Sequence, residues 1–142
     1  MRALLDTSVL IALLDANHVH HRLATTWFQS HADGCASCPI TLNGCIRILS
    51  QANYPNRLPM HVVVQGLQEA MQHPMHVFWA DDIHPLDATG IDWQQVLRPA
   101  DITDAYLLAL AVKNQACMVT LDQKIAIAWA LRADARHLRV LV

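Results

Sequence analysis

Charge is scarce in this sequence. Asp, Glu, Lys and Arg make up 15% of its 142 residues, where ordinary soluble domains carry about 25%. With 54% of the residues apolar, a disordered chain is excluded, and the under-charged surface predicts cover by a partner. A broad basic coat is missing too. The formal net charge is −2, which leaves room only for a local basic groove. Glycine and proline number four and six, and no stretch reads as an inter-domain linker. The four cysteines, Cys35, Cys38, Cys45 and Cys117, are too few and too irregularly spaced for a secreted disulfide scaffold. The apolar run Val9 to Leu14 is far short of the roughly 20 residues of a membrane span. Asp6 stands between Arg2 and that run, which a signal peptide would not allow. These features predict one cytoplasmic domain over residues 1–142, without membrane association. A chain of this length buries roughly 68–70% of its unfolded surface and needs no staple to fold.

What is present is an alternation of short apolar runs and helical patterns. Ala3-Leu4-Leu5 reads as a buried strand ending at Asp6, with Thr7 or Ser8 as the cap of a helix over Val9 to Leu14. Leu23, Ala24, Trp27 and Phe28 recur at helical spacing, so a second helix is expected from about His20 to His31. Ser37 to Thr41 looks like a brief strand, and Cys45, Ile46, Leu49 and Ala52 form the stripe of a third helix. A fourth helix is expected from His61 to Gln72, and a strand at Val77-Phe78-Trp79. Ala105 to Lys113 is apolar nearly all round, the pattern of a helix buried on both sides. Cys117 to Leu121 and Leu138 to Val142 complete the strands. Strands alternating with helices predict an α/β protein with a mostly parallel sheet between helical layers.

Two of those strands finish on an aspartate, Asp6 and Asp122. In open parallel sheets ligands bind beyond the carboxyl ends of the strands, at a topological switch point. If both strands are central, the two acids share one crevice. Asp104 heads the buried helix, and Asp101 lies three residues earlier. Carboxylates crowded together raise one another's pKa, and a hard dication such as Mg²⁺ or Mn²⁺ relieves the repulsion. Each acid also has an ordinary explanation. Asp6 can cap a helix, Asp104 can sit at a helix N-terminus for its dipole, Asp101 fits an N-cap, and Asp122 can simply end a strand. Their coincidence at element ends favours the metal reading.

The stretches LLDTSVLIALLD (Leu4–Asp15), ITDAYLLALA (Ile102–Ala111) and VTLD (Val119–Asp122) resemble the three signature blocks of PIN-domain ribonucleases, above all the VapC-type toxins of toxin–antitoxin pairs. CPITLNGCIRILSQANYP (Cys38–Pro55) resembles the family's middle block. The resemblance covers nearly the whole chain. It implies a three-layer α/β/α sandwich, a homodimer, Mg²⁺- or Mn²⁺-dependent hydrolysis of RNA, and a cognate antitoxin as protein partner. It also implies that Asp6, Asp104 and Asp122 are the catalytic and metal-holding acids, with the hydroxyls of Ser8 and Thr120 beside them and Arg47 as an RNA contact. Ser8 is equally explained as a helix cap and Thr120 as an ordinary strand threonine.

The chain departs from the family in one respect. A glutamate is usual in the middle block, yet no residue from Ala36 to Gln68 is acidic, and Leu42 or Gly44 stands in its place. Asn43, with a neutral carbonyl oxygen, and Asp101 are the candidates to compensate. The loss motivates a second reading, a degenerate PIN domain that binds RNA or an antitoxin without efficient cleavage. A haloacid-dehalogenase-like phosphatase fits less well, since that class wants an acid where Ser8 stands. His18, His20, His21 and His31 with Cys35 and Cys38 suggest a zinc site only loosely, because the spacing is not that of a standard finger. Arg22, Arg47, Lys124, Arg132, Arg136 and Arg139 could track an RNA backbone or simply be solvated.

Overall fold

The structure is a computed structural model that describes residues 1–142. Five short strands, β1 (Ala3–Leu5), β2 (Cys35–Ser37), β3 (His76–Phe78), β4 (Cys117–Thr120) and β5 (Leu138–Val140), form one sheet in the order β3-β2-β1-β4-β5. Every neighbouring pair is parallel, with Leu4 opposite Ala36 on one side and Met118 on the other. The helices are α1 (Thr7–Leu14), α2 (His21–Ser30), α3 (Pro39–Ser50), α4 (Met60–Ala70) and α5 (Ile102–Lys113).

Two apolar clusters, one on each face of the sheet, make the core. Val9, Leu10, Cys45, Leu49, Val63 and Leu67 from α1, α3 and α4 pack with Ala3, Leu5 and Val119, and Trp27 and Phe28 of α2 border this layer. Leu4, Ala36 and Met118, on the alternate positions of the strands, face the other way onto α5, Ile91 and Trp129. The period-2 alternation of the strands thus divides the helices into two layers around the sheet. The expected three-layer α/β/α sandwich is what forms. Ala105 to Ala111 are all buried, as the sequence of α5 predicts.

Local chemistry moved several boundaries. The strand expected at Ser37 to Thr41 ends at Ser37, because Pro39 opens α3. A proline suits the first helical turn, where no N–H is needed. Thr41 lies inside α3, and its hydroxyl accepts from the Cys38 N–H at 3.2 Å. Neither Thr7 nor Ser8 caps α1. Asp6 does, accepting from the Thr7 N–H at 2.8 Å. The last strand stops at Val140. Cys35 packs into one layer and Cys38 into the other, so the pair cannot share a zinc ion. Burial pushes the Cys38 thiol up to about 11, which suits a core thiol.

Asp15, at the C-terminal end of α1, is buried and binds the loop after α3. The Tyr54 hydroxyl donates to Asp15 Oδ2, Asn56 Nδ2 donates to it at 3.0 Å, and the Asn17 N–H donates to Oδ1 at 3.0 Å. Burial would raise this carboxyl, but those donors outweigh it and hold it below its ordinary value. The apolar surplus seen in the sequence has an outlet as well. Leu13, Leu14, Phe28, Leu67 and Met71 line an open groove of about 590 Å³ between α1, α2 and α4.

Candidate metal centre

From β1 the chain passes to β2 on one side of the sheet, and it returns later to β4 on the other. A crevice therefore opens beyond the carboxyl ends of β1 and β4. Asp6 follows β1 directly, and Asp122 comes two residues after β4. The two ends are tied together, since the Asp6 N–H donates to the Val119 carbonyl at 3.0 Å.

Asp6 is held on every side. Its Oδ1 accepts from the Thr7 N–H at 2.8 Å, and its Oδ2 accepts from the hydroxyls of Ser8 at 3.0 Å and Thr120 at 2.7 Å. Those hydroxyls are anchored in turn: Leu121 N–H donates to Ser8 Oγ at 3.2 Å, and Asp122 N–H to Thr120 Oγ1 at 3.0 Å. Both hydroxyl residues therefore orient the carboxylate, and Ser8 is no helix cap. Burial pushes the Asp6 carboxyl above its ordinary value. The hydroxyl and N–H donors pull it back only partly, and the charge of Asp122 adds to the rise. Asp122 Oδ1 accepts the Lys124 N–H at 2.8 Å.

Asp104 stands in the first turn of α5. Burial, then the charges of Asp6, Asp122 and Asp101, push its carboxyl up to about 7. The three acids thus lie within one another's field. They do not form a ready-made cage, however: no three His, Cys, Asp or Glu side chains converge tightly enough to hold an ion as they stand. Mg²⁺ asks for only one or two direct carboxylates and keeps several waters. The donor set, all hard oxygens with one uncompensated carboxyl, fits such an ion.

Asp101 is placed differently from expectation. It makes no capping bond at the start of α5. Both its oxygens go to Arg98, with Nη2 at 2.6 Å from Oδ1 and Nε at 2.9 Å from Oδ2, and this pair holds the Asp101 carboxyl below its ordinary value. Arg98 was not among the residues singled out in the sequence, although the Arg-x-x-Asp spacing is a readable signal for such a pair. Asn43 is not brought to the acids. It is exposed and lines a shallow groove of about 510 Å³ with Ile46, Arg47, Ser50, Gln51 and Met60. Arg136 is occupied by Asp134, Nη2 to Oδ2 at 2.7 Å.

Gly44, one of the two positions at which the family's glutamate is expected, leaves little room for any side chain. A Cβ at this position would stand 2.8 Å from Thr7 Oγ1 and 3.1 Å from Thr7 Cγ2. Helix α3 leans on the first residue of α1 at that point, next to Asp6. Gly44→Ala should therefore push Thr7 aside, at a cost of about 1–3 kcal/mol. Thermal unfolding of the variant measures it, and an unchanged melting temperature would contradict the close packing.

Residues 3–129 match the PIN domain family. The chain belongs to the PIN-domain family. It is 42% identical over 142 residues to Ribonuclease VapC44 of Mycobacterium tuberculosis, covering 99% of this chain and 100% of that one. Ribonuclease VapC39 of the same organism is 38% identical over 133 residues, 89% of this chain and 92% of its own length. The crystal structure of Mycobacterium tuberculosis VapC20, a Sarcin-Ricin loop cleaving toxin, superposes with a TM-score of 0.59 at 14% identity, over 80% of this chain and 84% of that one. This last likeness concerns the fold.

Proposed function

We propose that this PIN domain, spanning residues 1–142, is a Mg²⁺- or Mn²⁺-dependent endoribonuclease and the toxin of a toxin–antitoxin pair. The observation that carries the reading is the crowding of Asp6, Asp104 and Asp122 at the switch point, with Asp104 raised to about 7 and no cationic side chain paired with it. Full-length similarity to chains named VapC ribonucleases supports the reaction. Cytoplasmic location and a homodimer belong to the same reading, and no helix is long and apolar enough to cross a membrane.

Asp6, Asp104 and Asp122 are the residues we assign to the metal. When bound, the ion would make a water acidic enough to attack and would offset charge on the phosphodiester. Ser8 and Thr120 fix the direction of the Asp6 carboxylate, so that it need not reorganise when substrate arrives. Asp104, with its carboxyl raised by burial and by its acidic neighbours, would have to give up its proton to hold the ion. Arg47, exposed on α3, is assigned an RNA contact.

A PIN domain that binds without cutting remains the second reading, favoured by the groove in which Asn43 lies apart from the acids. Incubation of the purified protein with RNA separates the two. Cleavage in Mg²⁺ or Mn²⁺ that stops with excess chelator is the expected result. Cleavage that persists in chelator would reject the metal mechanism, and binding without any cleavage would favour the second reading.

A further inference from the structure

The crevice is built from anions, yet its proposed substrate is a polyanion. Asp6, Asp101, Asp104 and Asp122 all act on Asp104 or on one another. Some fixed positive charge must meet the RNA backbone beside them, because a bound dication offsets only part of that charge. Two cations act on this group of acids. Lys124 acts on Asp101, and Arg98 acts on Asp101 and Asp122.

The hydrogen bonds of Arg98 leave it half used. Nε and Nη2 each give one N–H to Asp101, a residue only 7% exposed. A guanidinium carries five N–H donors in a rigid fork. Nη1 and the second Nη2 hydrogen make no bond within the protein, and the side chain is 54% exposed. Asp101, three residues before Asp104, therefore grips one edge of the fork and leaves the other without a partner in the protein. Arg2 and Arg57, by contrast, serve the fold: Arg2 donates to the Met75 carbonyl at 2.8 Å, and Arg57 donates to the Ser50 carbonyl at 3.1 Å.

We propose that Arg98, held by Asp101, is a phosphate-binding residue at the rim of the acid crevice, presenting its free N–H edge to an RNA phosphate flanking the bond to be cut. The inference rests on the ribonuclease reading. A planar fork suits two phosphate oxygens, and an ammonium would match it less well. Asp101 is then a positioning residue for Arg98 and no metal ligand. The pair leaves charged N–H donors free for phosphate without placing an unpaired positive charge against the acids that must attract the dication.

The test is binding of a labelled hairpin RNA, without metal and with Ca²⁺, at several salt concentrations. Arg98→Ala should weaken binding about 3- to 10-fold and lower the slope of log K against log salt by roughly 0.7–0.9, the release of one phosphate's counterion. Arg98→Lys should keep the slope and recover only part of the affinity. Arg57→Ala, in the loop after α3, should change neither. If Arg98→Ala lowers the melting temperature while affinity and slope stay as in wild type, the arginine only staples the turn before α5 and the proposal fails. It fails equally if no RNA binding is seen with the wild-type protein. Cleavage in Mg²⁺ is scored on the same samples. A wild type that binds with the Arg98-dependent slope but never cuts would overturn the nuclease reading and leave the phosphate contact standing.

Discussion

Asp6→Asn is expected to lower RNA cleavage by roughly 1,000-fold or more, equivalent to about 4 kcal/mol of transition-state stabilisation, while the fold survives. The survival follows from the hydrogen bonds. The Thr7 N–H keeps an acceptor in the asparagine carbonyl. The new amide N–H₂ takes the place of Oδ2 and faces the Ser8 and Thr120 hydroxyls. Each hydroxyl already accepts one backbone N–H and has a second lone pair to offer. Removing a buried carboxylate also removes the desolvation that pushes Asp6 up. The net change in stability near neutral pH should stay within about 1 kcal/mol. Cleavage assays and thermal melts in chelator check both halves. A variant that cuts like wild type would remove Asp6 from the machinery, and a variant that fails to fold would make Asp6 a structural acid.

Asp104→Asn should remove an unusual pH dependence. The folded-state carboxyl lies at about 7, above an ordinary value of 3.8. Between about pH 4 and pH 7 the folded protein therefore binds more protons than the unfolded chain, so this group makes stability fall as pH rises through that window and level off above it. The whole shift corresponds to about 4 kcal/mol. Asp104 is only part-buried, so solvent screening reduces the penalty to about 1–2 kcal/mol. In chelator at pH 8 the asparagine variant should be more stable than wild type by that amount, and at pH 4 the two should coincide. Mn²⁺ or Mg²⁺ should restore much of the wild type's stability at pH 8 and little at pH 5, where protons compete. The variant should gain little from metal at either pH, and cleavage should be lost. Unfolding measured against pH with and without metal reads all of this. A wild type whose stability rises from pH 4 to pH 7 in step with the variant would show that Asp104 is not crowded by its neighbours.

The layered fold was legible because burial dictates pattern. Ala3-Leu4-Leu5 and Val119-Thr120 read as strands, and α5 could not be apolar all round unless covered on both sides. The aspartates at the ends of β1 and β4 were legible for the same reason, since a charge ends a buried run. Features set by three-dimensional contact were not. Leu42 or Gly44 reads as a missing glutamate in the sequence; in space Leu42 packs against the core and Gly44 is the point where α3 touches Thr7. Asn43, one residue before Gly44, is set about 100° around the helix from it, which turns it outward to the groove with Arg47. Asp101 has the spacing of a helix cap, but Arg98, one turn earlier, competes for both its oxygens and wins by charge. Thr7 and Ser8 are typical capping residues, yet Asp6 lies one position nearer the helix start and takes the role, leaving Ser8 to orient its carboxylate.

Calorimetric titration of the metal-free protein with Mn²⁺ near pH 6.5, repeated in buffers of different ionisation enthalpy, tests most directly whether the three scattered acids act as one site. Binding should be seen with release of a large part of one proton, the proton held by Asp104, and both binding and release should be lost in Asp104→Asn. No binding to the wild type, or equal binding with no proton released by wild type and variant, would mean that Asp6, Asp104 and Asp122 do not share an ion.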